Sequence, residues 1–338
     1  MKHSVKAHQP FELPMRMNRL RNSAPVRAML QETHLHITDM ILPLFIHANL
    51  DKKQAIPSMP GHYQLSLNDL EAEIETVSQL GIPAVLLFGI PTYKDATGSA
   101  ALLENGIIPQ AIARIKAINP ALTVITDLCL CEYTEHGHCG VLNQHQHIDN
   151  DATLTLLGQQ AVTHAQAGAD WIAPSSMTDG MVMAIRQALD QAGYVNTSIL
   201  SYAAKFCSCL YGPFREAAQG APQFGDRKTY QMNPTNSREA LREAALDVEE
   251  GADIIMVKPA NWYLDVIQRI KQQHPTIPLC AYQVSGEYAM IKNAAAHGIM
   301  DETTAMLESL YSIKRAGADL IISYFAKSFA QLFADHPD

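Results

Sequence analysis

The chain has 338 residues, 47% of them hydrophobic and 17% charged, with a net charge of −9 from 25 basic and 34 acidic side chains. Such a chain can bury a full core as one large α/β barrel or two smaller domains, and its balance excludes a disordered protein, a nucleic-acid binder and a protein drawn to anionic membranes. No apolar run reaches the length of a membrane span and the start Met1-Lys-His-Ser-Val-Lys6 carries no apolar core of a signal peptide, so a cytoplasmic location is expected.

Residues 1–36 form the first segment, an arm holding Lys2, Lys6, Arg16, Arg19, Arg21 and Arg27 against Glu12 and Glu32, which gives it +4 and leaves −13 for the remainder. Pro10, Pro14 and Pro25 and the lack of any period-2 pattern place it outside the core. A basic arm on an acidic body suggests docking onto a neighbouring subunit. From residue 37 onward, apolar runs alternate with helix-patterned segments. The runs are Met40–Ile46, Ala84–Phe88, Leu122–Cys129, Trp171–Pro174, Ser198–Ala203, Asp253–Val257, Ile277–Tyr282 and Asp319–Tyr324. Eight buried strands separated by helices predict a single α/β domain, a (β/α)8 TIM barrel over 37–338 with the extended N-terminal arm outside it.

A weak repeat supports this: Ala167-Gly-Ala-Asp170, Gly251-Ala-Asp253 and Ala316-Gly-Ala-Asp319 each close a helix on glycine and open a strand. Ser66 and Ser237 precede acidic first turns and read as helix caps. Long connections follow the first, third and fifth runs, at about 47–69, 129–153 and 204–236, and connections of that length usually carry function.

Polar groups gather where the runs end, which in a barrel of this kind is one rim: Asp127, Cys129, Ser175, Lys205, Lys258, Ser285 and Tyr324. Ile254-Ile-Met-Val-Lys-Pro259 delivers a lysine to the last position of a strand buried on both faces. A lysine there either snorkels or is used. Lys205 ends the neighbouring strand, and like charge with partial desolvation depresses a lysine pKa until the neutral amine can attack a carbonyl. Cys129-Leu-Cys131-x7-Cys139 offers three sulfur ligands suited to Zn2+, with a free fourth position of catalytic type; the alternative is a set of buried thiols. His138 is a further candidate ligand. Cys207 and Cys209 read as thiols open to oxidation, Cys280 as core, and Glu243, Glu249 and Glu250 as an exposed acidic helix face. Arg215 and Arg227 lie in a Gly- and aromatic-rich segment, about 207–236, that reads as a lid clamping a carboxylate or as a solvated basic loop.

Asp127-Leu-Cys-Leu-Cys-Glu-Tyr-Thr-Glu-His-Gly-His-Cys-Gly140, Ser201-Tyr-Ala-Ala-Lys-Phe206, Tyr211-Gly-Pro-Phe-Arg215, Gly225-Asp-Arg-Lys-Thr-Tyr-Gln231, Met256-Val-Lys-Pro259, Tyr282-Gln-Val-Ser-Gly-Glu-Tyr288 and Ile322-Ser-Tyr324 together resemble the porphobilinogen synthase (5-aminolevulinate dehydratase) family in its zinc-binding version. The resemblance implies a lyase of heme and other tetrapyrrole biosynthesis that condenses two molecules of 5-aminolevulinate. It implies Schiff bases on Lys258 and Lys205, with Asp127 and Ser175 beside them, and catalytic Zn2+ on Cys129, Cys131 and Cys139. Ser285 and Tyr324 would hold the first carboxylate, and Arg215 and Arg227 the second. Phe214, Gln231 and Tyr288 would complete the substrate site, and Glu243 matches a position that binds an allosteric Mg2+. The same resemblance implies a homo-octamer whose arms wrap partner barrels. Ser176 and Met181 depart from it, since relatives usually carry Asp and Arg there. A class I aldolase-like lyase would leave the second lysine and the cysteines unexplained, and a non-catalytic zinc-binding barrel would leave both lysines so.

Overall fold

The computed structural model describes residues 14–334. Lys2, Lys6, Pro10 and Glu12 of the arm lie outside the described residues. The chain divides into two units, 1–34 and 35–338. In the first, a 3-10 turn at Met17–Arg21 and a short helix at Ala24–Met29, with Pro25 in its first turn, bury no residue.

The second unit is built on a ten-stranded sheet: β1 (Met40–His47), β2 (Gln54–Ala55), β3 (Tyr63–Leu65), β4 (Ala84–Ile90), β5 (Thr123–Leu128), β6 (Trp171–Pro174), β7 (Ser198–Lys205), β8 (Ile254–Lys258), β9 (Leu279–Gln283) and β10 (Leu320–Ser323). β1 and β4 to β10 pair in parallel, each with the next, and the ring closes where Met40 and Ile41 of β1 pair with Ile321 and Ile322 of β10. All eight expected strands are present. β2 and β3 are an addition within the first long connection: β3 runs beside the end of β1, at Phe45 and Ile46. No sequence signal marks strands so short.

Each parallel crossover carries a helix, which is how a parallel sheet hides both faces from water. The β7 to β8 connection also holds a helix at Gly212–Ala217, and the β9 to β10 connection one at Ser285–Ala296. Ser66 does open its turn, with its N–H bonded to Asp69 Oδ2 at 2.9 Å. Ser237 instead lies inside the helix Ser237–Glu249, whose cap position is Asn236.

The Gly-Ala-Asp repeat has a physical meaning at the opposite rim from the site. Gly168, Gly251 and Gly317 adopt φ of 102°, 106° and 117°, a conformation in which glycine ends a helix without strain. The following aspartates accept an N–H from the first two residues of the preceding neighbour strand: Asp170 from Val124 at 2.7 Å, Asp253 from Ile199 at 2.8 Å and Asp319 from Leu279 at 2.7 Å. These carboxylates cap strands and are not ligands. Asp253→Ala, which leaves the Ile199 N–H without its acceptor, is expected to cost about 1–3 kcal/mol in urea unfolding, and Asp253→Asn less because it keeps an acceptor.

β7 contains the irregularity that matters most. Its register against β8 slips between Ser201 and Ala204, so that three residues of β7 span two of β8. Ser201 faces outward to Asp247 on the covering helix. Tyr202 and Lys205 both face inward, three residues apart, although strict alternation would place them on opposite faces. The extra residue restores the parity and sets Lys205 abreast of Lys258.

Candidate active site

Lys205 and Lys258 are paired residues on adjacent strands, and the N–H of Phe206 donates to the carbonyl of Lys258 at 2.9 Å. Both are buried, at 5% and 4% exposure, although neither forms an ion pair among the described residues. Lys205 Nζ donates to the backbone carbonyl of Ser175, which fixes its direction. Lys258 Nζ stands over four rings, 4.2 Å from the centre of Tyr282, 5.0 Å from Tyr202, 5.1 Å from Phe214 and 5.4 Å from Tyr211. Burial, and then the positive charge of Lys205, bring its pKa down to about 7. The neutral form of the Lys258 amine is therefore within reach at neutral pH.

Asp127 near the end of β5 faces the same interior. Burial raises its pKa and the two lysines oppose the rise. Its Oδ1 has no hydrogen-bond partner. Glu132, one residue past Cys131, is also buried and is pushed up to about 7 by burial and then by Asp127. Two carboxyls and two amines thus share one low-dielectric chamber, in which the Lys258 amine and the Glu132 carboxyl are each brought near neutrality.

Cys129, Cys131 and Cys139 converge beside them with their sulfurs within 4.8 Å of one another, the first two 3.2 Å apart. Hydrogen bonds from Cys129 and Cys131, then Arg227 and Lys205, hold the Cys139 sulfur well below the usual thiol range. Zn–S bonds of about 2.3 Å in tetrahedral geometry put sulfurs about 3.8 Å apart, so a small adjustment of this triad accommodates the ion. The donor set, three soft sulfurs with no fourth protein ligand in the group, fits a metal with an open position. His138 is not in that group. Its Nδ1 is 3.1 Å from Tyr230 Oη and its Nε2 3.1 Å from the Phe224 carbonyl oxygen.

The segment after β7 folds over this chamber. Pro213 starts the helix Gly212–Ala217, the Phe214 N–H donates to Ser285 Oγ at 2.9 Å, and Gln64 Nε2 donates to the Ala217 carbonyl at 2.7 Å. The enclosed cavity, about 10 Å3, has room for about one water. Phe214, Arg215, Arg227, Gln231, Ser175, Asp127, Cys131 and both lysines line it. Arg215 Nε, Arg227 Nε, both amide atoms of Gln231, Asp127 Oδ1 and the Tyr202 hydroxyl are buried without partners. Unpaired polar atoms facing one chamber offer hydrogen-bonding partners to a polar ligand.

Three expected substrate residues stand around this centre without lining its cavity. Tyr324 Oη lies 3.0 Å from Tyr282 Oη, Ser285 secures the lid root, and Tyr288 donates to the Pro60 carbonyl. Glu243 lies in a separate groove of about 1060 Å3. Its pKa is raised by burial and then by Asp179 and Glu239, and Asp247 and Glu250 line the same groove. Where the sequence offered one carboxylate, the fold gathers five. Ser176 and Met181 also face it and touch each other at 3.6 Å, so the two sequence departures occur at one contact. Cys207 and Cys209 are free thiols at the lid root, and Cys280 is buried in β9.

Sequence reasoning assigned no role to Glu132, Tyr202 or Tyr282. Glu132 was within reach, since it follows a candidate ligand directly. The two tyrosines follow only from knowing which strand face points inward.

The sequence profile described as delta-aminolevulinic acid dehydratase matches residues 14–332. A delta-aminolevulinic acid dehydratase of Halalkalibacterium halodurans is 55% identical over 316 residues, 94% of this chain and 96% of that one. The enzyme of the same name from Staphylococcus aureus is 50% identical over 317 residues, 94% and 98% of the two chains. The crystal structure of delta-aminolevulinic acid dehydratase (porphobilinogen synthase) from Toxoplasma gondii, in complex with its reaction product porphobilinogen, is similar with a TM-score of 0.93 at 42% identity, covering 96% of this chain and 93% of that one.

Proposed function

This chain belongs to the delta-aminolevulinic acid dehydratase family, and from that premise we infer that it is a lyase condensing two molecules of 5-aminolevulinate into porphobilinogen with release of two waters, a step of heme and other tetrapyrrole biosynthesis. The observation that carries the assignment of roles is the pair of register-matched buried lysines, one of them held near pKa 7.

In this reading the neutral Lys258 amine adds to the keto carbon of one substrate, water leaves, and a Schiff base remains. The cationic imine withdraws electrons from the adjacent carbon, so that a proton there can pass to a base. Asp127, with an unpartnered oxygen facing the amines, is the base we assign. Lys205 forms or assists the second imine, and the Ser175 carbonyl that holds its amine sets its approach. Arg215 and Arg227 carry the carboxylate of the second substrate, Ser285 and Tyr324 that of the first, and Phe214, Gln231 and Tyr288 enclose them. Zn2+ on Cys129, Cys131 and Cys139 would supply Lewis-acid polarisation of the second substrate. Mg2+ would sit by Glu243, where the gathered carboxylates supply the hard oxygen ligands it prefers. The described elements of the arm, Met17–Arg21 and Ala24–Met29, bury no residue, and with Met15, Met17 and Met29 exposed they supply no core of their own, which favours docking on a partner in an octamer. No described helix is long and apolar enough to cross a membrane, and we place the enzyme in the cytoplasm.

Borohydride reduction in the presence of 5-aminolevulinate tests the assignment. A mass adduct should map to Lys258, with or without one on Lys205, and adducts on neither lysine would overturn it. The rate of that trapping should rise about tenfold per pH unit below pH 7 and level off above it, because only the neutral amine adds. Lys205→Gln removes the positive neighbour, so the Lys258 pKa rises and this limb moves to higher pH. An unmoved limb would show that the two amines are not coupled.

A further inference from the structure

The stretch between Cys131 and Cys139 does more than connect two sulfurs. Gly137 has φ of 69°, and a Cβ there would lie 2.2 Å from the Ala221 carbonyl oxygen, so the lid backbone rests directly on the loop. A Cβ on Gly220 of the lid would in turn lie 3.4 Å from the Cys131 carbonyl oxygen. Arg227 Nη2 donates to the carbonyls of both Gly137 at 2.8 Å and Gly220 at 2.6 Å, stitching the two segments together. The Gln223 N–H donates to the His136 carbonyl at 3.0 Å.

His138 stands at the centre of these contacts. A carbonyl can only accept, so Nε2 carries the proton toward Phe224, and Nδ1 is left to accept from the Tyr230 hydroxyl. One ring thus holds both sides of the lid's outer turn, and the backbone N–H of His138 donates to His136 Nδ1 at 3.1 Å. The next residue is Cys139.

We propose that His138 is a positioning residue that couples the cysteine loop to the lid, so that metal binding by Cys129, Cys131 and Cys139 and closure of 217–230 over the amines favour one another. The inference rests on the metal reading above. Ion binding fixes both ends of the loop that seats the lid, and a seated lid holds the loop, through Arg227 and His138, in the shape that presents its sulfurs. Such coupling is reciprocal: the factor by which metal stabilises the closed lid is the factor by which closure tightens the metal.

The test is amide hydrogen exchange of residues 217–225 in the full-length protein without substrate, with and without Zn2+, with binding followed through the sulfur-to-metal absorption of Co2+. Zinc should slow exchange in this segment at least about fivefold. His138→Ala should abolish that protection and weaken Co2+ binding by a similar factor. His138→Gln, which keeps a donor and an acceptor, should restore part of both. The coupling should also raise KM in His138→Ala more than it lowers kcat. Co2+ bound with its sulfur band while lid exchange stays unchanged would overturn the coupling and leave the metal reading intact. Full zinc-dependent protection in His138→Ala would remove His138 from it. Absence of any sulfur band would remove the metal reading and this inference together.

Discussion

Lys258→Met is expected to lower porphobilinogen formation by at least about a thousandfold and to abolish borohydride trapping, while the protein stays folded. Methionine keeps the unbranched stem within the ring cage of Tyr202, Tyr211, Phe214 and Tyr282, so packing survives where the amine is lost. Removing a buried amine held at pKa about 7 also relieves a desolvation cost, so urea stability should be unchanged or higher. Lys205→Met gives a different pattern: condensation is lost, yet a single substrate is still trapped on Lys258, with its pH limb displaced upward. The two variants separate a nucleophile from its neighbour. Condensation by Lys258→Met within tenfold of the unaltered enzyme would require another residue to carry the first imine.

The barrel was legible because both of its signals are local. A strand buried on both faces must be continuously apolar, and a helix that ends on glycine before an aspartate-opened strand repeats along the chain, as at Gly168, Gly251 and Gly317. The lysines and cysteines were legible because strand ends in a parallel barrel share one rim. Beyond this, periodicity gives no help. The extra residue in β7 that turns Tyr202 and Lys205 to the same side leaves no mark in its apolar run, and strict alternation would have faced them apart. β2 and β3 are too short to show a pattern. Glu243 looked like part of an exposed helix face because Asp179 reaches its groove from elsewhere in the chain, which only the fold reveals. His138 was a possible fourth ligand whose adjacency to Cys139 made joint binding awkward, and both of its ring nitrogens face the lid.

Cys139→Ala is expected to produce the second large effect, loss of bound zinc together with at least about a hundredfold of the condensation rate. Of the three sulfurs, Cys139 is the one whose charge the chamber favours, through thiol hydrogen bonds from Cys129 and Cys131 and the nearby Arg227 and Lys205. Alanine there removes the anionic donor and leaves two thiols that burial still holds high, which makes a poor site for a dication. Chelator treatment of the unaltered enzyme should reproduce the loss, and added Zn2+ should reverse it where Mg2+ at the same concentration does not, since soft sulfur ligands discriminate against a hard cation. Cys207→Ser and Cys209→Ser should keep both zinc and rate, because neither sulfur belongs to the triad. The imine chemistry is separable from the metal: Cys139→Ala should still give the borohydride adduct on Lys258, because burial and Lys205 hold that amine near neutrality whether or not the sulfurs are occupied. Undiminished zinc content in Cys139→Ala, measured as metal per chain, would mean that the ion sits elsewhere. A lost adduct would mean that the metal organises the first substrate as well as the second.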